Sequence, residues 1–238
     1  NIRDSLLGMF RISDSLAVTD ARWWGGEPIW VTAVRQGRQA GSVFWPGSEA
    51  IISGVGSTFW KRYEDSFPNP GRVDTALSWL TRADTLRPRV VLLYFSLVDH
   101  EAHESGPWSE RTRAGVLTAD SMVGLLVRGI ESRGLSGSVN VVVVADHGMA
   151  YMPSNQRVIL EDYINPDSLE IAYLSPFLLA RPRNGNVGAT LARLRRVPHL
   201  AVFARDSVPP RWHYSGSPRI LSIVGMMDEG WDLLRRPK

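Results

Sequence analysis

The 238-residue sequence contains no cysteine. Disulfides, thiolate zinc sites and cysteine nucleophiles are therefore excluded, while the compartment stays open. No apolar run approaches the roughly 20 residues that a helix needs to cross a bilayer, and no signal-like segment is visible. The chain opens on Asn1 and stops at a charged RRPK with no closing element, so an internal piece of a longer domain is expected. Excess charge is also scarce: 27 Lys+Arg against 24 Asp+Glu leave a formal +3. The basic excess lies in scattered arginines and in LARLRRVPHL and LLRRPK, clusters of the kind found on solvated helix faces and ends, so no specific nucleic-acid partner is expected. Neither an internal repeat nor a low-complexity linker interrupts the sequence.

What is present is an ordinary globular composition, 44% hydrophobic and 21% charged, long enough for one large core. RVVLLYF (89–95) and VNVVVVA (139–145) are short, continuous apolar runs rich in valine and leucine, which predict strands buried on both faces of a parallel sheet. Between them Val116, Met122, Val123, Leu126, Val127 and Ile130 recur at helical spacing over about 109–133, and Gly134 supplies a stop. Strand, helix, strand at this length is a right-handed crossover with parallel strands. PIWVTAVRQG reads as a helix leading into the strand AGSVFWPG, and RVDTALSWL has helical spacing. The fold class is α/β, with a mostly parallel central sheet and helices on both faces.

Two motifs follow the carboxyl ends of the two strands, where α/β proteins build their sites. In YFSLVDHEAHESGP (94–107), Asp99 and His103 are four apart and share one helical face, giving one carboxylate oxygen and one imidazole nitrogen, half of a tetrahedral zinc site. In ADHGM, Asp146 and His147 are adjacent, so a regular strand would point them apart; a left-handed Gly148 would let a tight turn bring both onto one ion. Taken alone, a DxxxH spacing occurs often by chance, and DHG after a strand also reads as a helix cap with a hydrogen-bonded histidine. Together, at one sheet edge, they suggest a two-metal site with ions about 4 Å apart, clamping the attacking and leaving oxygens of a phosphoryl transfer. The other histidines read as structural: His100 as a neighbour of the first pair, His199 and His213 without a partner carboxylate. Trp23 and Trp24 read as scaffold.

With DARWWGGEPIWVTA, VFWPGSEA, WKRY, YFSLVDHEAHESGP, VVVVADHGM and WHYSGSPRI…DEGW in order, nearly the whole chain resembles the nucleotide pyrophosphatase/phosphodiesterase (type I phosphodiesterase) family of the alkaline phosphatase superfamily. The resemblance implies an alkaline phosphatase-like fold and two Zn2+, with Asp99 and His103 on one ion and Asp146 and His147 on the other. It implies a nucleotide pocket lined by Trp45, Pro46 and Glu49, with Tyr63 stacking on the base, a contact that tolerates any base. It further implies a threonine nucleophile that attacks phosphorus in line, a nucleotide or other phosphodiester substrate, and an extracytoplasmic setting. Relatives often carry Glu-Pro before the first metal aspartate; here Leu97 and Val98 stand there.

On the same resemblance, residues 1–238 are a partial phosphodiesterase catalytic domain. The nucleophile segment, with a further metal aspartate, belongs before Asn1, and a last metal histidine belongs after Lys238. No catalytic nucleophile is assigned within the chain. Two ligands per ion fall short of the three or four that zinc sites use, so residues 1–238 alone are expected to bind zinc poorly and not to turn over. Calorimetric titration checks this, and a tight complex holding two zinc ions per chain would overturn it. Alternative readings are a phosphomonoesterase, sulfatase or phosphonate hydrolase of the same superfamily, which FWPGSE with Tyr63 disfavours, or a non-catalytic polyanion-binding module.

Overall fold

The structure, a computed structural model, describes residues 2–4 and 6–237, in two units: residues 12–149, and the flanking stretches up to residue 11 and from residue 150. The flanking unit begins with an antiparallel hairpin, β1 (Ile2–Asp4) and β2 (Gly8–Phe10). The Asp4 carboxylate accepts from Arg219 Nε at 2.8 Å and from the N–H groups of Leu6 and Leu7, which together hold its pKa down at about 2.

In residues 12–149 the elements run α1 (Ser15–Thr19), α2 (Ile29–Arg35), β3 (Ala40–Val43), β4 (Phe59–Lys61), α3 (Asn69–Leu80), β5 (Val90–Leu93), α4 (Leu97–Ser105) and α5 (Glu110–Glu131). The strands form a parallel sheet in the order β4-β3-β5. Alternation along the strands divides the core. Ala40, Val90 and Leu92 pack against Trp30, Val31 and Ala33 of α2. Val43, Val91 and Leu93 pack with Trp79 and Leu77 of α3 and with Ile130 of α5. Helices thus cover both faces, as predicted. Gly41 is the close approach in this packing: a Cβ there would stand 2.5 Å from the Trp79 ring.

The predicted helices form because their signals are local. Ser109 caps α5 by accepting the Thr112 N–H, and Gly134 follows it at φ +69°. The second strand of the predicted crossover, 139–145, does not form: these residues carry no regular secondary structure. Val142, Val143 and Val144 are 81%, 69% and 70% exposed, the reverse of the predicted burial. The physical reason is pairing. Among the described residues β5 bonds only to β3, leaving its other edge without a partner strand, and a valine run without a ladder has nothing to hold it in a sheet. Burial agrees, since β3, flanked on both sides, is fully buried while every residue of β5 is half-buried.

The flanking unit continues with β6 (Arg157–Ile159), β7 (Leu169–Tyr173), β8 (Phe177–Pro182), α6 (Val187–Leu194), β9 (Leu200–Ala204), β10 (Ile223–Met227) and β11 (Asp232–Leu234). An antiparallel sheet, β7-β8-β10-β9, and a parallel pair, β11-β6, enclose Leu160, Leu178, Leu194, Ile223 and Leu233. Arg235 and Arg236 bond to Glu161, Asp162 and Asp167, so this basic cluster is engaged within the fold. His199 corrects its sequence reading: its Nδ1 lies 3.1 Å from Asp228 Oδ2 and its ring stacks on Trp231 at 3.6 Å, a partner 29 residues away that local spacing could not reveal. Among the described residues no helix is long and apolar enough to cross a membrane.

Candidate functional site

The chain leaves β5 through Tyr94, Phe95 and Ser96 and enters α4, whose first turn holds Asp99. A carboxylate there is favoured by the helix dipole. One turn on, His103 Nε2 stands 3.4 Å from Asp99 Oδ1, as the four-residue spacing predicts, and Gly106 at φ +87° ends the helix. Ala102, three residues after Asp99, is buried and anchors α4.

Asp146 and His147 arrive from the irregular stretch after the valine run. Asp146 Oδ1 accepts the His147 N–H at 3.1 Å, and His147 Nε2 lies 3.5 Å from Asp146 Oδ2 and 3.7 Å from Asp99 Oδ1. The two pairs therefore converge. Gly148 is not the device that achieves this, because its φ lies outside the left-handed region; the departure from strand geometry already begins with the unpaired valines. Gly148 contributes its carbonyl instead, 2.9 Å from His147 Nδ1. In the neutral ring Nδ1 then carries the proton, which leaves the Nε2 lone pair toward the carboxylates. The bond to Gly148 and the Asp146 charge raise the His147 pKa from its ordinary value.

Side-chain separations allow a test of the donor set against a metal ion. Ligands about 2.0–2.1 Å from a tetrahedral ion stand about 3.4 Å from each other. The Asp99/His103 and Asp146/His147 pairs match this at 3.4 and 3.5 Å. Asp99 Oδ1 is moreover buried and accepts no hydrogen bond, although a carboxylate oxygen out of water normally has a partner. Donor chemistry and the orphaned oxygen fit a hard or borderline cation. Among the described residues, however, no three His, Cys, Asp or Glu side chains surround one point, so each pair is an incomplete ligand set.

A second group forms beside the first. The turn after β3 places Phe44 at φ +61° and Gly47 at φ +83°, where a Cβ would come within 2.8 Å of the Trp24 ring. Trp45 packs half-buried against the α2 side of the core, Pro46 is exposed, and Ser48 Oγ donates to the Trp45 carbonyl at 2.8 Å. Glu49 accepts the Tyr63 N–H at 3.0 Å, with Arg62 at 3.8 Å, so it shapes the group by holding the Tyr63 backbone. The Tyr63 ring is 45% exposed, meets Phe44 edge-on at 5.4 Å and donates its hydroxyl to Asp65 at 2.8 Å. Partial burial raises the Tyr63 phenol, and the neighbouring Ser96 hydroxyl acts the other way. Ser96 precedes α4, so this wall adjoins the helix of Asp99 and His103. His100 is exposed and lies outside both groups, its N–H donating to the Ser96 carbonyl.

Two residues of the site escape the sequence reading. The Tyr94 phenol pKa is raised by burial and by the charges of Asp146 and Asp99, which places it in the field of both Asp/His pairs. Arg72 is buried on α3; its signal was an arginine at the i and i+4 spacing of Ala76 and Leu80, on the apolar stripe itself.

The profile of "Type I phosphodiesterase / nucleotide pyrophosphatase" matches residues 1–238. Venom phosphodiesterase 2 of Crotalus adamanteus is 34% identical over 250 residues, covering 100% of this chain and 30% of its own length. Ectonucleotide pyrophosphatase/phosphodiesterase family member 3 of Rattus norvegicus is 30% identical, with 97% of this chain and 27% of the relative covered. The solved structure of murine ectonucleotide pyrophosphatase/phosphodiesterase 5 superposes with a TM-score of 0.87 at 27% identity, covering 99% of this chain and 63% of that one. An inactive variant of that mouse protein has been solved in complex with AMP. The chain thus spans about 30% of the length of the curated venom relatives it matches.

Proposed function

The chain belongs to the type I phosphodiesterase / nucleotide pyrophosphatase family, and from that membership we propose that the whole protein is an extracytoplasmic two-zinc hydrolase of nucleotide phosphodiester or pyrophosphate bonds. Its threonine nucleophile would come from outside residues 1–238. The observation that carries the reading is Asp99 Oδ1, buried without a hydrogen bond and set 3.4 and 3.7 Å from the Nε2 atoms of His103 and His147. Relatives named as venom and ectonucleotide enzymes support both the substrate class and the location.

Asp99 and His103 would hold one ion, and Asp146 and His147 the other. When bound, zinc supplies Lewis acidity toward a phosphoryl oxygen and lowers the pKa of a coordinated water. The chain's own residues do the rest of the orienting. The Gly148 carbonyl would fix the His147 ring through its Nδ1, leaving Nε2 to the ion. Tyr63 would offer a flat face to a nucleobase and Glu49 holds that ring in place through the backbone, while Trp45 and Pro46, on the turn between β3 and Glu49, would complete the nucleotide pocket.

The test uses the whole protein: hydrolysis rates for a nucleotide phosphodiester and a simple phosphate monoester, before chelation, after it, and with zinc restored. The expected result is preference for the diester, with chelation lowering its rate by roughly 10³-fold, the value of several kcal/mol of charge stabilisation, and zinc restoring it. Preference for the monoester would reassign the pocket, and activity indifferent to chelation would overturn the metal reading.

A further inference from the structure

Arg72 is a buried cation that the chemistry above does not use. It is 2% exposed, and no carboxylate lies within ion-pairing distance among the described residues. Burial lowers its pKa, with Tyr63 and the Asp65 carboxylate acting in the opposite direction. A guanidinium in such a place costs stability unless its geometry is used. Here it is used on three segments at once. Nη1 donates to the Tyr94 carbonyl at 3.1 Å and Nε to the Phe67 carbonyl at 3.3 Å. The plane of the group sits 4.8 Å from the centre of the Phe44 ring, which in turn meets Tyr63 at 5.4 Å and Phe67 at 5.7 Å, both edge-on. Phe44 directly follows β3, Phe67 closes the loop that carries Tyr63, and Tyr94 directly follows β5, just before Ser96 and the helix of Asp99.

We propose that Arg72 is a positioning residue: one planar fork fixes the distance between the aromatic wall carrying Tyr63 and the start of the helix carrying Asp99. A bound nucleotide would span that distance, from base to phosphate. The inference rests on the proposed nucleotide phosphodiesterase activity. Lysine is not an equivalent group, because a single ammonium on a flexible stem lacks the two-pronged planar geometry and stacks less well on Phe44.

The experiment compares the whole protein with its Arg72→Lys and Arg72→Met variants on two substrates, a nucleotide diester and bis(4-nitrophenyl) phosphate, which has no nucleobase. Misplacement of bound groups by about 1 Å costs on the order of 10²-fold, so kcat/KM for the nucleotide diester is expected to fall about 10- to 100-fold. The rate on the base-free diester is expected to stay within about threefold, since only the base-to-metal spacing has changed. In a Tyr63→Ala background the Arg72 effect should vanish, because the coupled wall is already gone. Parallel loss on both substrates, additive effects of the two substitutions, or failure of both variants to fold would each make Arg72 merely structural and overturn the assignment. An unsubstituted protein that hydrolyses neither diester would instead overturn the function on which the assignment rests.

Discussion

In the whole protein, Asp146→Asn is expected to lower kcat/KM for a nucleotide diester by roughly 10³-fold or more while leaving the metal-free fold intact. The Asp146 side chain is 78% exposed, and the bond from the His147 N–H to its Oδ1 can be kept by an asparagine carbonyl. Exposed polar substitutions of this kind change stability by about 0.5 kcal/mol or less, so the melting temperature should move by no more than about 2 °C. What the substitution removes is the negative charge beside His147 Nε2, and with it the anionic half of one acid–imidazole pair. Zinc per chain, measured after dialysis, should fall in step with the rate. A variant that keeps both its zinc and its activity would show that Asp146 is not a ligand, and one that melts early would show that it is part of the scaffold.

The second large effect is expected at Tyr63. Replacing it by alanine removes a ring that is 45% exposed and fixed from behind by Phe44 and, through its backbone, by Glu49. Stacking on an aromatic side chain contributes about 1–3 kcal/mol per base, so KM for nucleotide substrates should rise about 10- to 100-fold with kcat less affected. Tyr63→Phe keeps the face and loses the hydroxyl's bond to Asp65 and its interaction with Ser96; it should stay within about threefold of the unsubstituted protein, since hydrogen bonds of an exposed hydroxyl contribute little. Because every base has a π face, adenine and uracil nucleotides should lose affinity alike. Michaelis curves for both, together with the base-free diester, decide the matter: an equal loss on the base-free compound would show that the ring supports the Asp99/His103 and Asp146/His147 pairs rather than binding a base.

The parts of this chain that could be read from its sequence are those whose causes are local. Asp99 and His103 meet because four residues of helix bring them together, and the ends of α4 and α5 are written in Gly106, Ser109 and Gly134. The same reading failed for 139–145, since valine propensity states what a segment tolerates and a strand also requires a neighbour's backbone. Convergence of Asp146 on His147 was anticipated, but through a left-handed Gly148 that the structure does not have. Arg72, the hold of Glu49 on the Tyr63 backbone and the pairing of His199 with Asp228 join residues 14 to 29 apart in sequence, and no periodicity reports such contacts. The antiparallel order β7-β8-β10-β9 was equally hidden, because FLLARP, LAVFA and IVGMM are nearly continuous apolar runs with no polar alternation, and strand order depends on long-range pairing.

The bare valines also bear on how this polypeptide behaves in company. Between Val139 and Ala145 there is no charge and no proline, and the side chains of Val142 to Val144 face solvent. Backbone groups without a ladder, on a stretch of high β-propensity, form a template on which another chain can lay a strand. Natural sheets guard such edges with lysine, proline or a bulge, and none of these guards lies within this run. Among the described residues, Val139 to Ala145 is therefore a segment of the 238-residue chain that lies open to strand addition by another chain.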